Sequence, residues 1–141
     1  MDKISDDQRS YNMSQIRGKN TKPELFVRKY LHSRGFRFRL HDSKLPGNPD
    51  IVLPKYQSVI FVNGCFWHGH RNCTISHVPK TRTEYWANKI NRNIGRDESN
   101  YSKLREIGWN IFILWECELL QNPELIIEAL ISQLKAIDAD K

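Results

Sequence analysis

Between residues 36 and 40 the chain alternates strictly, Phe36-Arg37-Phe38-Arg39-Leu40, and a period of two puts the three apolar side chains on one face of a half-buried strand. Upstream the pattern is helical. Thr21-Lys22-Pro23-Glu24 has the form of a capping box, with proline in the first turn where no intrahelical N–H is lost, and a helix is predicted from there to about Arg34, ended by Gly35. Leu25, Phe26, Tyr30 and Leu31 form its apolar stripe, and Arg28, Lys29 and Arg34 face elsewhere. The first 20 residues are polar, carry Arg9, Arg17 and Lys19, and show one apolar pair, Met13 and Ile16. They read as a short helix or arm ahead of a single domain over 21–141.

Residues 41–49, with Pro46, Gly47 and Pro49, form a loop, and two strands follow at 50–53 and 58–62 with a turn over 54–57, a β-hairpin. Residues 63–80 lack periodicity but hold Cys65, His68, His70 and Cys73, which suggests a loop organised by a metal rather than by a core. From 81 to about 107 the helical period returns with Trp86, Ile90, Ile94, Tyr101 and Leu104; Asn93 and Gly95 are candidate interruptions, and Gly108 closes the segment. Residues 109–115 are the most apolar run and fit a central strand. Pro123 opens a last amphipathic helix with Leu125, Ile126, Ala129, Leu130 and Leu134 on its buried side. No repeat interrupts this order, which predicts a mixed α/β layer around a central sheet.

At 141 residues, 39% apolar and 27% charged, the chain fits one globular domain, and no apolar run approaches the roughly 20 residues that span a bilayer. No membrane association is expected. The polar amino-terminal stretch lacks the apolar core of a secretory signal, so the cytoplasm is the expected location. Net charge is +6, which favours a polyanionic partner through phosphate contacts and counterion release. The three cysteines, Cys65, Cys73 and Cys117, are odd in number and two lie close to histidines, a pattern of metal ligation rather than of a disulfide framework.

A tetrahedral zinc site needs four nitrogen or sulfur ligands, and Cys65, His70, Cys73 and Cys117 meet that need; the alternative is that Cys117 is only a buried apolar residue. His68 is then left over, either as a general base on a loop fixed by its neighbours or as a zinc ligand in exchange with His70. Asp50 opens a strand, and the hairpin brings it near residues 60–63. A carboxylate at a strand edge suits a hard cation such as Mg²⁺, or is simply a solvated turn acid. Glu24 reads as the capping-box acid, and Asp97 as a surface residue paired with Arg96 or Lys103. Phe66, Trp67, Tyr85 and Trp86 lie among Arg71, Lys80, Arg82 and Lys89, where aromatics stack on or wedge between bases, or serve as core of the helix.

The segments LPGNPDIV, VIFVNGCFWHGHRNC, PKTRTEYWANKI, the Arg96-Asp97 pair and GWNIFILWEC together resemble the very short patch repair (Vsr-type) DNA mismatch endonucleases over nearly the whole chain. The resemblance implies a restriction-endonuclease-like fold, nicking on the 5′ side of the thymine in a T:G mismatch, catalytic Mg²⁺ and a structural Zn²⁺. It implies Asp50 as the metal-binding carboxylate, with the Val62 backbone carbonyl beside it, and His68 as the base that activates water. Glu24 falls where the family has a carboxylate bonded to that histidine, and Asp97 matches a second acidic position near the centre. The implied zinc ligands are Cys65, His70, Cys73 and Cys117. Phe66, Trp67 and Trp86 match an aromatic wedge that enters the duplex, and Met13 a residue that probes the minor groove. The implied partner is double-stranded DNA carrying the mismatch, with mismatch-repair proteins as natural associates, the chain acting as a monomer on the nucleoid. Two departures stand out. Val62-Asn63 replaces the Thr-His of better-known members, and Asn63, unlike a histidine at the reacting phosphate, cannot become cationic. One extra residue also separates His70 from Cys73.

Two rival readings remain at this point. One is a restriction-like or mobile-element endonuclease of other specificity. The other is a zinc-stabilised DNA-binding protein without catalysis.

Overall fold

Ile51, Leu53 and Ile60 point to one side of a β-sheet and Val52, Val59 and Phe61 to the other, so a period of two supplies two separate cores. The computed structural model describes residues 21–70, 73 and 79–140. Met13 and the arm over 1–20 lie outside the described residues. Helix α1 (Lys22–Ser33) leads into strand β1 (Arg39–Leu40), then β2 (Ile51–Leu53), a single 3₁₀ turn at Pro54–Tyr56 and β3 (Ser58–Asn63). The long helix α2 (Thr83–Glu106) connects β3 to β4 (Asn110–Trp115), and the short α3 (Glu116–Gln121) and the terminal α4 (Pro123–Ala139) follow.

The sheet order is β1-β2-β3-β4. β1 and β2 are antiparallel, as are β2 and β3, whereas β3 and β4 run parallel with Ser58 opposite Asn110 and Asn63 opposite Trp115. A parallel pair cannot be joined by a tight turn, and α2 is the crossover that joins this one. On one face Val27 and Leu31 of α1 and Ile127, Leu130, Ile131 and Leu134 of α4 close over Ile51, Leu53, Ile60 and Leu114. On the other face Tyr101 and Leu104 of α2 cover Val52, Val59 and Phe61. Each such fully buried aliphatic contributes about 1.5–3 kcal/mol over its exposed state. The result is the expected α/β architecture, a mixed sheet with helices on both faces. Among the described residues no helix is long and apolar enough to cross a membrane.

Several details differ from the sequence expectation. The alternating segment 36–40 pairs only at Arg39–Leu40: Phe36 is buried against Tyr56, their ring centroids 5.4 Å apart, so it joins the core from a loop while Leu40 stays exposed. In α1 the inward stripe is Glu24, Val27 and Leu31, and Leu25 and Phe26 are about 40% exposed. The stripe of α4 is likewise displaced, to Ile127, Leu130, Ile131 and Leu134, with Leu125 and Ala129 exposed. α2 runs unbroken through Asn93 and Gly95, because packing on the sheet outweighs the roughly 1 kcal/mol that one helical glycine costs. β4 pairs only with β3 among the described residues and so sits at the sheet edge rather than the centre. Its apolar run serves the two faces, Phe112 toward one core and Ile111 and Ile113 toward the other.

Candidate active site and metal centres

The loop between β1 and β2 ends on buried Pro49, which delivers Asp50 to the mouth of a cleft of about 890 Å³. Asp50, His41, Val62, Asn63, His68 and Asp97 all line it. Gly47 sets the loop's approach: with φ of +81° it adopts a conformation glycine favours, and a Cβ there would lie 3.2 Å from Phe61 and from the Cβ of Asn100. The Val62 N–H donates to Asp50 Oδ2 at 2.7 Å. Burial nonetheless raises the Asp50 carboxyl to about 8; the nearby Glu24 adds to the rise, and the Val62 N–H and Arg28 partly offset it. A buried carboxyl raised in this way is a setting that a divalent cation relieves.

Glu24 reaches this centre because it occupies the inward stripe of α1. The Glu24 N–H donates to Thr21 Oγ1 at 3.4 Å, so half of the capping box forms. Its carboxylate, 1% exposed, turns inward, ion-paired with Arg28 and with Oε2 3.2 Å from His41 Nε2. The acid that meets His68 is instead Asp97, whose Oδ2 lies 2.5 Å from Nδ1. Asp97 is therefore no solvated partner of Arg96 or Lys103. It lies on the stripe Ile90, Ile94, Asp97, Tyr101 and Leu104 that α2 turns toward the sheet and the 64–70 loop.

That loop is held to α2 in three places. Asn93 Nδ2 donates to the Trp67 carbonyl at 3.0 Å, His68 meets Asp97, and Gly69 passes so close that a Cβ there would lie 2.6 Å from Ile94 Cδ1 and 2.8 Å from Ile90 Cγ2. Asn63, 3% exposed, follows the β3 alternation onto the same face and donates from Nδ2 to the Tyr101 hydroxyl at 3.2 Å. Tyr101 stands edge-on to Phe61, and burial pushes its phenol up to about 12.

Beyond the cleft, ligand atoms of Cys65, His70, Cys73 and Cys117 come within 4.8 Å of one another. His70 Nδ1 is 3.5 Å from Cys65 Sγ and 3.4 Å from Cys117 Sγ, and its ring stacks flat on Trp115 at 4.1 Å. The cysteines form no disulfide. Burial is the main cause that pushes the Cys65 thiol up to about 12 and also raises Cys117. One nitrogen and three sulfurs converging on a point are a soft tetrahedral donor set. Phe66, Trp67 and Trp86 pack edge to face with centroids 5.0 to 6.0 Å apart. Trp86 is buried while Phe66 and Trp67 are half exposed, and Lys89 and Arg82 lie over Trp67 and the exposed Tyr85.

A family model described as DNA mismatch endonuclease Vsr matches residues 1–74. The chain belongs to the Vsr family. It is 51% identical over 118 residues to the type II nicking enzyme V.XorIIP of Xanthomonas oryzae pv. oryzae, covering 84% of this chain and 86% of that protein. It is 49% identical over 111 residues to the type II nicking enzyme V.NmeAIP of Neisseria meningitidis, 79% of each chain. To the DNA mismatch endonuclease Vsr of Escherichia coli K12 it is 44% identical over 127 residues, 90% of this chain and 81% of that one. A restriction-endonuclease-like fold is consistent with this membership and with the mixed sheet. Vsr membership makes the chain an endonuclease, a phosphodiester hydrolase that implies a divalent metal.

Two residues of this Vsr-family site escaped the sequence reading. His41 carries no motif, yet β1 pairs Leu40 with Ile51, so the next residue on each strand, His41 and Asp50, must face each other. Tyr101 was taken only as core, although its hydroxyl needs a partner wherever the ring is buried.

Proposed function

We propose that the chain is a Mg²⁺-dependent, strand-specific DNA nicking endonuclease acting 5′ of the thymine in T:G mismatches, as in very short patch repair of deaminated 5-methylcytosine. The observation that carries it is one cleft holding both a crowded carboxylate at Asp50 and a histidine oriented by an acid, His68 on Asp97. With Asp97 accepting from Nδ1–H, the lone pair of His68 is left on Nε2, the form a general base requires. Nε2 takes a proton from water as the water oxygen bonds to phosphorus. The P–O3′ bond then breaks, leaving a 5′-phosphate and a 3′-oxyanion that takes a proton from solvent to become the 3′-hydroxyl. Asp50, fixed by the Val62 N–H, and the Val62 carbonyl would hold the Mg²⁺, which would supply positive charge beside the reacting phosphate. Asn63 offers a neutral amide to the phosphate, and Glu24 adds a second carboxylate beside Asp50 where the cation would sit.

Cys65, His70, Cys73 and Cys117 would hold a structural Zn²⁺ that fixes the loop carrying His68. The Phe66, Trp67 and Trp86 cluster is the wedge that unstacks the duplex beside a mispaired base, which leaves the stack at lower cost than a matched one. Met13 would serve the minor groove. On this reading the enzyme acts as a monomer in the bacterial cytoplasm, with mismatch-repair proteins as candidate associates.

A nicking assay on a library of matched and mismatched duplexes with Mg²⁺ tests the reading. Scission concentrated 5′ of the T in T:G pairs is expected. Preference for fully paired DNA would instead favour a restriction-like enzyme, and scission absent under all conditions a non-catalytic binder.

A further inference from the structure

We infer that His41 is a nitrogen ligand of the cleft cation, so that the centre is a His41–Asp50 site, with Glu24 holding the imidazole, that prefers a first-row divalent transition metal to magnesium. This rests on the assignment of Asp50 as a metal carboxylate and specifies what else holds the ion. Ligand atoms of the three residues all lie within 4.8 Å of one another.

The backbone is built to place the imidazole there. His41 adopts φ of +49°, a left-handed conformation uncommon outside glycine, and its N–H donates to the Asp50 carbonyl at 3.2 Å. The ring then stands between the two acids, Nε2 3.2 Å from Glu24 Oε2 and Nδ1 3.9 Å from Asp50 Oδ1. The second distance is too long for a hydrogen bond. It is the separation of two atoms that each lie about 2.1 Å from one cation, since such pairs fall about 3–4 Å apart. Because Asp50 Oδ2 accepts from Val62, Oδ1 is the oxygen turned to the ring.

On the far side of the ring Nε2 lies 3.2 Å from Glu24 Oε2, the carboxylate that would accept Nε2–H once Nδ1 binds the ion and so fix the tautomer of a ligating histidine. Arg28 Nη2 also lies 2.7 Å from Nε2. Arg28 can only donate, so binding of the ion at Nδ1, which puts the ring proton on Nε2, would turn the Arg28 hydrogens to Glu24, with which it is already ion-paired. Magnesium takes oxygen donors and holds imidazole poorly, whereas first-row transition metals accept both. A histidine in this position therefore shifts selectivity rather than merely adding affinity.

The test uses the full zinc-loaded chain with Mn²⁺ as probe, read by pulsed electron paramagnetic resonance and by titration. Nitrogen modulation from a coordinated imidazole is expected in the wild type and in His68→Ala, and lost in His41→Gln. Mn²⁺ affinity should fall about tenfold or more in His41→Gln. Mg²⁺ affinity should stay within about twofold. A wild-type spectrum without nitrogen modulation overturns the inference whether or not the variant folds, and so does an unchanged ratio of Mn²⁺ to Mg²⁺ affinity in a folded variant. Asp50→Asn separates the two levels. If it abolishes Mn²⁺ binding while His41→Gln has no effect, only the role of His41 fails; if it leaves binding intact, the assignment of the cation to this cleft fails as well.

Discussion

Asp97 acts through one contact. Its carboxylate, 2.5 Å from His68 Nδ1, decides which imidazole nitrogen carries the proton. Asp97→Asn keeps the shape but can present an N–H to the ring and favour the wrong tautomer. A fall in kcat of about 10²-fold or more with KM little changed is expected, measured by single-turnover nicking. At Asn63 the direction reverses. Asn63→His restores a side chain that can carry charge to the phosphate, and a charge-assisted hydrogen bond exceeds a neutral one by about 1 kcal/mol, so kcat should rise about fivefold. Tyr101, which accepts from Asn63, makes a pH-dependent contribution. Tyr101→Phe should cost about 1 kcal/mol at neutral pH by denaturant titration. The folded phenol sits at about 12, above its ordinary value of 10, so the folded state keeps its proton longer. Its contribution is therefore complete below pH 10 and declines as pH rises toward 12, where the gap between wild type and Tyr101→Phe should narrow.

At the scale of elements, the 64–70 loop is the part that owes least to regular structure. Gly69 has φ of +60° and lies under Ile90 and Ile94. Gly69→Ala should cost about 1–3 kcal/mol by thermal melt and lower nicking by displacing His68, because both backbone and packing oppose the methyl group. The hairpin, the long crossover helix and the two-sided sheet were legible in sequence, since each rests on a period that burial enforces. The inward faces of α1 and α4 were legible only to within about a residue: Leu25 and Leu125 look apolar but lie beside the stripe, and Glu24 lies on it. The polarity of Asp97 suggested solvent and only the family resemblance set it near the centre, although its spacing from Ile94 and Tyr101 already puts it on the inner face. Cys65, His70, Cys73 and Cys117 were grouped by residue type and by the family resemblance, and their ligand atoms do converge. His41 was invisible until β1 was paired with β2, because its meaning lies in register and not in any motif.

Across the whole molecule, two sites share one loop. Cys65 and His70 bracket His68, so whatever holds the sulfur cluster also sets the position of the His68 ring. Stripping zinc with a strong chelator, then restoring Mg²⁺ alone, should leave nicking low and the melting temperature depressed, with zinc restoring both. The basic charge of +6 and the half-exposed aromatics beside Arg82 and Lys89 suit a duplex lying over the cleft, and binding should weaken steeply with salt. The central claim is that Asp50 and His68 together cut DNA at a mispair. The most direct measurement is Mg²⁺-dependent nicking of T:G and fully paired duplexes by the wild type, Asp50→Ala and His68→Ala, with folding checked by circular dichroism. Nicking of the T:G duplex by the wild type is expected, with a loss of about 10²-fold or more in each variant. Wild-type rates in both folded variants would contradict it.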